Sequence, residues 1–244
     1  MAERTADTSP GFDPLRNERL RALLDHPALF NLSQLLISGG QRATKRWAQA
    51  WLGARPGDRL LDVCCGTGEF APLFHPEQTG IASYLGVDLN EQYITYAQER
   101  WGGVAGRSFE AVDATQLRLP EGSFERALFV NSLHHFPDEL ARGILAEVAR
   151  VLRPGGRLVL IDMVGDDARA VQRFFLDRDR GEYLRPLTAQ LALVEEFFTV
   201  ERHDSFDTGY TPQTIIAARP KWVVGRGSGV GRKTVGSILK GMNP

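Results

Sequence analysis

Residues Leu60-Leu61-Asp62-Val63-Cys64-Cys65-Gly66-Thr67-Gly68-Glu69-Phe70-Ala71 constrain the fold more than any other stretch. A short apolar run, read as a buried strand, stops at a glycine turn and is predicted to continue into a helix. Gly66 and Gly68 permit a tight turn and the approach of a ligand to bare backbone, and Ala71 completes a G-x-G-x-x-G/A spacing. That spacing alone suits a dinucleotide. Asp62 argues against it: a carboxylate near the loop repels a pyrophosphate and suits a nucleoside that carries positive charge.

The elements that follow repeat the logic. About 20 residues on, Ala82 to Asp88 reads as a second strand ending in an acid, which in a Rossmann-like fold accepts hydrogen bonds from ribose hydroxyls. A third strand ends near Val112-Asp113-Ala114, and a fourth, Arg126 to Asn131, leads into Ser132-Leu133-His134-His135-Phe136-Pro137-Asp138. A helical pattern through Leu152 is stopped by Arg153-Pro154-Gly155-Gly156, and Arg157 to Met163 forms a fifth strand. Helical periodicity returns at Ala168 to Leu176 and at Leu187 to Phe198. Strands beginning at Phe197 and at Thr211 should then pair antiparallel at one sheet edge.

The series DVCCGTGEF, GVDLN, DAT, NSLHHFPD and RVLRPGGRLVLID resembles the class I S-adenosylmethionine-dependent methyltransferases, strongly over residues 45–163 and in pattern over 164–218. DVCCGTG in particular is similar to the C-methyltransferases of ubiquinone and menaquinone biosynthesis, whereas NSLHHFPD departs from that branch. The resemblance implies an α/β fold, a Rossmann-like doubly wound sheet of seven strands in the order 3-2-1-4-5-7-6 with the last strand antiparallel. It implies S-adenosyl-L-methionine as cofactor, S-adenosyl-L-homocysteine as product, and a small-molecule acceptor that is aromatic, quinone-like or a specialised metabolite. No metal is required, because the sulfonium is already activated and the protein supplies alignment and exclusion of water.

Residue roles follow, each beside a plainer reading. Gly66, Thr67 and Gly68 form the cofactor loop, or simply a tight turn. Asp62 anchors the methionine end, directly or through water, or caps a backbone group. Asp88 holds the ribose, and Leu89 lies against the adenine. Asp113 meets the adenine amino group with the Ala114 amide beside it, or is an ordinary turn residue. Asn131 turns its side chain or carbonyl to the cofactor. Cys64 and Cys65 point to opposite faces by strand alternation, Cys64 lining the pocket. His134 and His135 sit at the substrate end of the sheet, as general bases or as structural histidines; His26 is a further candidate base. Tyr183, Tyr210, Phe174 and Phe175 line the substrate or belong to the core.

Residues 1–14 read as a flexible tail and 15–44 as a helical cap, either a lid or a cover for the sheet edge. The methyltransferase domain is then 45–218, and 219–244 is a basic tail. The N-terminus lacks the apolar core of a signal peptide, and no run of about 18 apolar residues exists to span a membrane. Adjacent cysteines form no disulfide framework and no metal spacing, so a reducing, cytoplasmic setting is expected. A net charge of −1 gives no overall reason to expect nucleic acid. The basic tail is either solvated or a peripheral membrane or RNA contact. The competing functions are methylation of tRNA or protein, a non-catalytic scaffold retaining the cofactor fold, and a dinucleotide oxidoreductase.

Overall fold

The computed structural model describes residues 41–165, Gln172 and residues 183–221. The expected tail and cap up to residue 40, His26, Phe174, Phe175 and the tail beyond 221 lie outside these, as does the helix at 168–176 apart from Gln172.

Seven strands form one sheet: β1 (Arg59–Val63), β2 (Ser83–Asp88), β3 (Arg107–Ala111), β4 (Phe124–Val130), β5 (Leu152–Met163), β6 (Phe198–Asp207) and β7 (Pro212–Pro220). Their spatial order is β3-β2-β1-β4-β5-β7-β6. The first five run parallel, and β7 is antiparallel to both β5 and β6. Among the described residues, five helices are complete: α1 (Arg42–Leu52), α2 (Pro76–Thr79), α3 (Glu91–Trp101), α4 (Asp138–Val151) and α5 (Leu187–Phe197).

The central strands are buried on both faces, which explains their nearly unbroken apolar runs. Alternation still sorts their side chains. Leu61, Val63, Ala127, Phe129, Leu158 and Leu160 join Ile144, Leu145 and Val148 of α4 and Leu193 of α5 in one core. Leu60, Tyr84, Leu128, Val130, Val159 and Ile161 join Ala48, Trp51 and Leu52 of α1 with Ile94 and Ala97 of α3 in the other.

Helix α1 buries Thr44, Ala48, Trp51 and Leu52, a stripe spaced for 3.6 residues per turn, and ends at Gly53 with φ 57°. The boundary expected at 44/45 therefore falls inside a helix that packs on the sheet. At the other end, β7 continues through Arg219 and Pro220, two residues past the expected limit, because Arg219 still pairs with Thr199.

Candidate functional site

Strand β1 ends at Val63, one residue before the backbone turns over. Cys64 takes φ 55°, Gly66 φ 55° and Gly68 φ 75°. Cys64 thus stands in the left-handed region where a non-glycine side chain is strained. Asn131, just beyond β4, does the same at φ 51°, so two strained residues meet the carboxyl ends of neighbouring strands. The Cys65 amide donates to the Val87 carbonyl at 2.9 Å, and the Gly68 amide to the Cys65 carbonyl at 3.0 Å, which closes the loop.

The two glycines serve different ends. A Cβ on Gly66 would meet nothing within 4 Å, so its backbone borders open space. A Cβ on Gly68 would lie 2.8 Å from Phe109 Cε1 and 2.9 Å from Trp101 Cδ1, so this glycine is required by aromatic packing behind the loop. The loop enters a short 3₁₀ turn, Ala71–Phe74, and then the four-residue α2, instead of the longer helix expected from the spacing. Pro72 and Pro76 each remove an amide donor and limit helical continuation. Nor are the cysteines consecutive strand residues. Both follow β1, yet the αL turn at Cys64 still sends Cys64 against one core and Cys65 into the other.

Asp88 closes β2 and braces the loop. One carboxylate oxygen accepts from the Gly66 amide at 2.8 Å and the other from the Asn90 amide at 2.9 Å. Asn90 in turn caps α3 by accepting from the amides of Gln92 and Tyr93. Between them Leu89 stands 74% exposed. Asp113 accepts from both the amide and the hydroxyl of Thr115, at 2.8 and 2.7 Å, the hydrogen bonding of an Asx turn; Ala114 is buried. Thr67 is buried, its carbonyl accepting from the Trp101 indole at 3.1 Å.

Asp62 is 2% exposed, with one oxygen accepting from the Tyr84 hydroxyl. Burial, with a smaller contribution from the nearby Asp88 charge, pushes its carboxyl up to about 7 against the pull of that hydrogen bond. Burial likewise drives the Cys64 thiol well up, helped by the charges of Asp88, Asp62 and Asp113. Three carboxyls therefore surround the end of β1. Such a place attracts a cation and repels a phosphate.

The loop after β4 carries the remaining candidates. Asn131 donates from Nδ2 to Gln41 Oε1 at 3.1 Å and accepts from Gln213 Nε2 at 2.8 Å; Gln213 Oε1 accepts from the Thr44 hydroxyl at 2.8 Å. Its side chain ties α1 and β7 to β4. His134 is 1% exposed, with Nδ1 2.5 Å from Asp162 Oδ1, and its carbonyl accepts from the Tyr183 amide at 2.9 Å. His135 is exposed, its ring 4.2 Å from that of His134.

Sequence reasoning missed Tyr84, Asp162, Gln41 and Gln213. Two left a signal: a hydroxyl in the apolar strand Ser83–Asp88 and an acid within the run Leu158–Val164. Among the described residues, no group of three His, Cys, Asp or Glu side chains is arranged to hold a metal, and no helix is long and apolar enough to cross a membrane.

The space beside Gly66, the exposed Leu89 and the surrounding carboxyls fit an adenosyl ligand bearing positive charge. Comparison with known proteins agrees with this reading. Residues 60–156 match a family described as methyltransferase domain. The chain is 32% identical over 158 residues to the 2-phytyl-1,4-naphtoquinone methyltransferase of Synechococcus elongatus, covering 62% of this chain and 67% of that one. It is 39% identical over 135 residues to the 27-O-demethylrifamycin SV methyltransferase of Amycolatopsis mediterranei, covering 54% of this chain and 48% of that one. The fold is shared with a chain from a Haloferax volcanii complex of the Trm112 methyltransferase activator, with a TM-score of 0.70, 14% identity, and coverage of 84% of this chain and 99% of that one. A sheet of this order with an acidic end to its first strand, together with these relatives, makes the chain a member of the class I S-adenosylmethionine-dependent methyltransferases.

Proposed function

We propose that the chain methylates a small aromatic or quinone-like acceptor held at the carboxyl ends of β1, β2 and β4. The observation that carries the reading is the convergence of Asp62, Asp88 and Asp113 around the end of β1, which favours a cationic nucleoside. S-adenosylmethionine, when bound, supplies a sulfonium-activated methyl group for in-line displacement, with S-adenosylhomocysteine as the product.

The chain's own residues hold and orient. Asp88 binds the ribose hydroxyls while keeping its two backbone amides. Asp62, ionised and steadied by Tyr84, faces the methionine ammonium. Gly66 and Thr67 present backbone, Leu89 covers one face of the adenine, and the turn at Asp113 and Ala114 borders its amino group. Cys64 and Asn131, both strained, shape the wall between cofactor and acceptor. His135, the exposed member of the His134–His135 pair, takes a proton where the acceptor must lose one. His134 is a positioning residue, held by Asp162. The quinone acceptor class is supported by the Synechococcus relative, a 2-phytyl-1,4-naphtoquinone methyltransferase, and the 27-O-demethylrifamycin SV methyltransferase extends it to oxygen acceptors.

The test is incubation with methyl-labelled S-adenosylmethionine and three acceptor pools: reduced naphthoquinones with phenols, bulk tRNA, and a protein lysate. Label in a naphthoquinol or phenol alone is expected. Label confined to tRNA or protein overturns the small-molecule reading. Calorimetric titration with S-adenosylhomocysteine and NAD in parallel separates cofactor failure from acceptor failure.

A further inference from the structure

At the amino ends of the central strands, opposite the proposed cofactor site, Arg55, Arg126, Arg153, Arg157 and Arg219 line a concavity of about 200 Å³ together with Gly155. Its floor is a row of arginines crossing three adjacent strands. Arg126 of β4 pairs with Arg157 of β5. Leu158 pairs with Ala218, so Arg157 and Arg219 lie one position further along the same β5–β7 ladder. All three share strand parity with Leu128, Val159 and Ala217, whose side chains enter the α1-side core. Like charges placed opposite one another in a sheet are destabilising.

Part of this charge has a structural outlet. Arg126 donates to the Gly53 carbonyl, and Arg157 to the Trp51 carbonyl, at the C-terminal end of α1 where cations are favoured. Arg126 also meets Asp58 at 3.2 Å, Arg157 and Arg219 share Glu201, and Arg153 shares Glu125 with Arg59. Six guanidiniums thus face three carboxylates. The crowding is felt at Arg126, which burial pulls down, Asp58 partly restores, and Arg157, Arg55 and Arg153 lower again. Arg153 and Arg219 remain about half exposed at the rim, and Arg55 is exposed beside them.

We propose that this concavity binds the phosphate groups of a small polyphosphorylated molecule. Guanidinium forks match phosphate oxygens in pairs, and a compact group carrying several charges suits the surplus of positive charge. The volume lies below the roughly 300–1,000 Å³ of sites that enclose a drug-sized ligand, so the phosphates enter while the rest of the molecule stays outside. An acidic peptide would spread its charges along the chain and need a wider surface. Arg157 stands six residues from Met163, about 20 Å from the cofactor end at 3.3 Å per residue, so both sites can be filled together.

Calorimetry with pyrophosphate and ATP tests this, on the full chain with and without saturating S-adenosylhomocysteine. Both probes should bind whether or not S-adenosylhomocysteine is present, more weakly as salt rises. The rim variant Arg55→Gln/Arg153→Gln should bind at least tenfold more weakly, its retained S-adenosylhomocysteine affinity showing that it is folded. Four results would overturn the proposal: no binding of pyrophosphate at millimolar concentration, equal affinity in the variant, displacement by S-adenosylhomocysteine, or binding only to phosphatidylglycerol vesicles. The last would identify a lipid headgroup as the source of phosphate.

Discussion

Replacing Asp62 with Asn exchanges a buried titratable carboxyl for a neutral amide of nearly the same shape that still accepts from Tyr84. In the folded chain this carboxyl titrates at about 7, against an ordinary value of 3.8. Between those values the folded state keeps a proton that the unfolded state has released. Stability therefore falls as pH rises through this window, and the loss is complete above about 7. At about 1.36 kcal/mol per pH unit, the full cost is on the order of 4 kcal/mol, of which about 3 falls between pH 5 and pH 8. Urea denaturation of both proteins at these two pH values isolates the effect, since most other titrating groups are common to the pair. The wild-type chain should lose about 3 kcal/mol relative to Asp62→Asn on going from pH 5 to pH 8. Parallel pH profiles would refute the reasoning, because they would mean that Asp62 ionises alike in both states. The stabilised variant should bind S-adenosylhomocysteine more weakly, a trade of stability for a charged site.

A cationic ligand draws the Asp62 proton off, so S-adenosylhomocysteine affinity should drop below about pH 7. Calorimetry near pH 6.5 in two buffers of different ionisation enthalpy should show proton release, and identical heats would sink that role. Asp88→Ala removes the proposed ribose partner and the brace on Gly66 and Asn90. It should cost about 1–3 kcal/mol of cofactor affinity and also lower the melting temperature; unchanged binding would exclude the ribose role. Gly68→Ala forces a methyl group against Phe109 and Trp101 at positive φ, with an expected loss of about 2–4 kcal/mol in urea denaturation, and wild-type stability would contradict the packing argument. His135→Ala should lower kcat with little change in melting temperature. Asp162→Asn should lower kcat by loosening the His134 ring it holds while S-adenosylhomocysteine affinity stays unchanged, and an unchanged kcat would leave that pair a purely structural role.

Much of the fold was legible because its signals are local. The run into Gly66, the acid ending Ser83–Asp88 and the stop after Val151 are each read within a dozen residues. The loop's exit was misjudged because Pro72 and Pro76 outweighed the glycine spacing. Composition changes near residue 219, while the pairing of Arg219 with Thr199 continues the sheet past it, because backbone pairing does not depend on side-chain charge. Gly68 was read from its spacing as part of the cofactor loop or a tight turn; that Phe109 and Trp101 crowd it is decided by the fold, the β2–β3 pairing bringing Phe109 alongside.

Apolar runs and the turn chemistry of glycine and proline marked, from the sequence alone, the strands, an antiparallel pair at one edge and a loop at the end of the first strand, while the order of the sheet came from the family resemblance. Tertiary structure alone decided the electrostatics. The Asp62 hydrogen bond to Tyr84 spans 22 positions of chain, the pairing of His134 with Asp162 spans 28, and the Thr44 bond to Gln213 spans 169. The arginine row likewise exists only because β4, β5 and β7 are neighbours in space. Periodicity encodes which face a side chain takes; a pKa or a charged concavity depends on what the fold brings against that face.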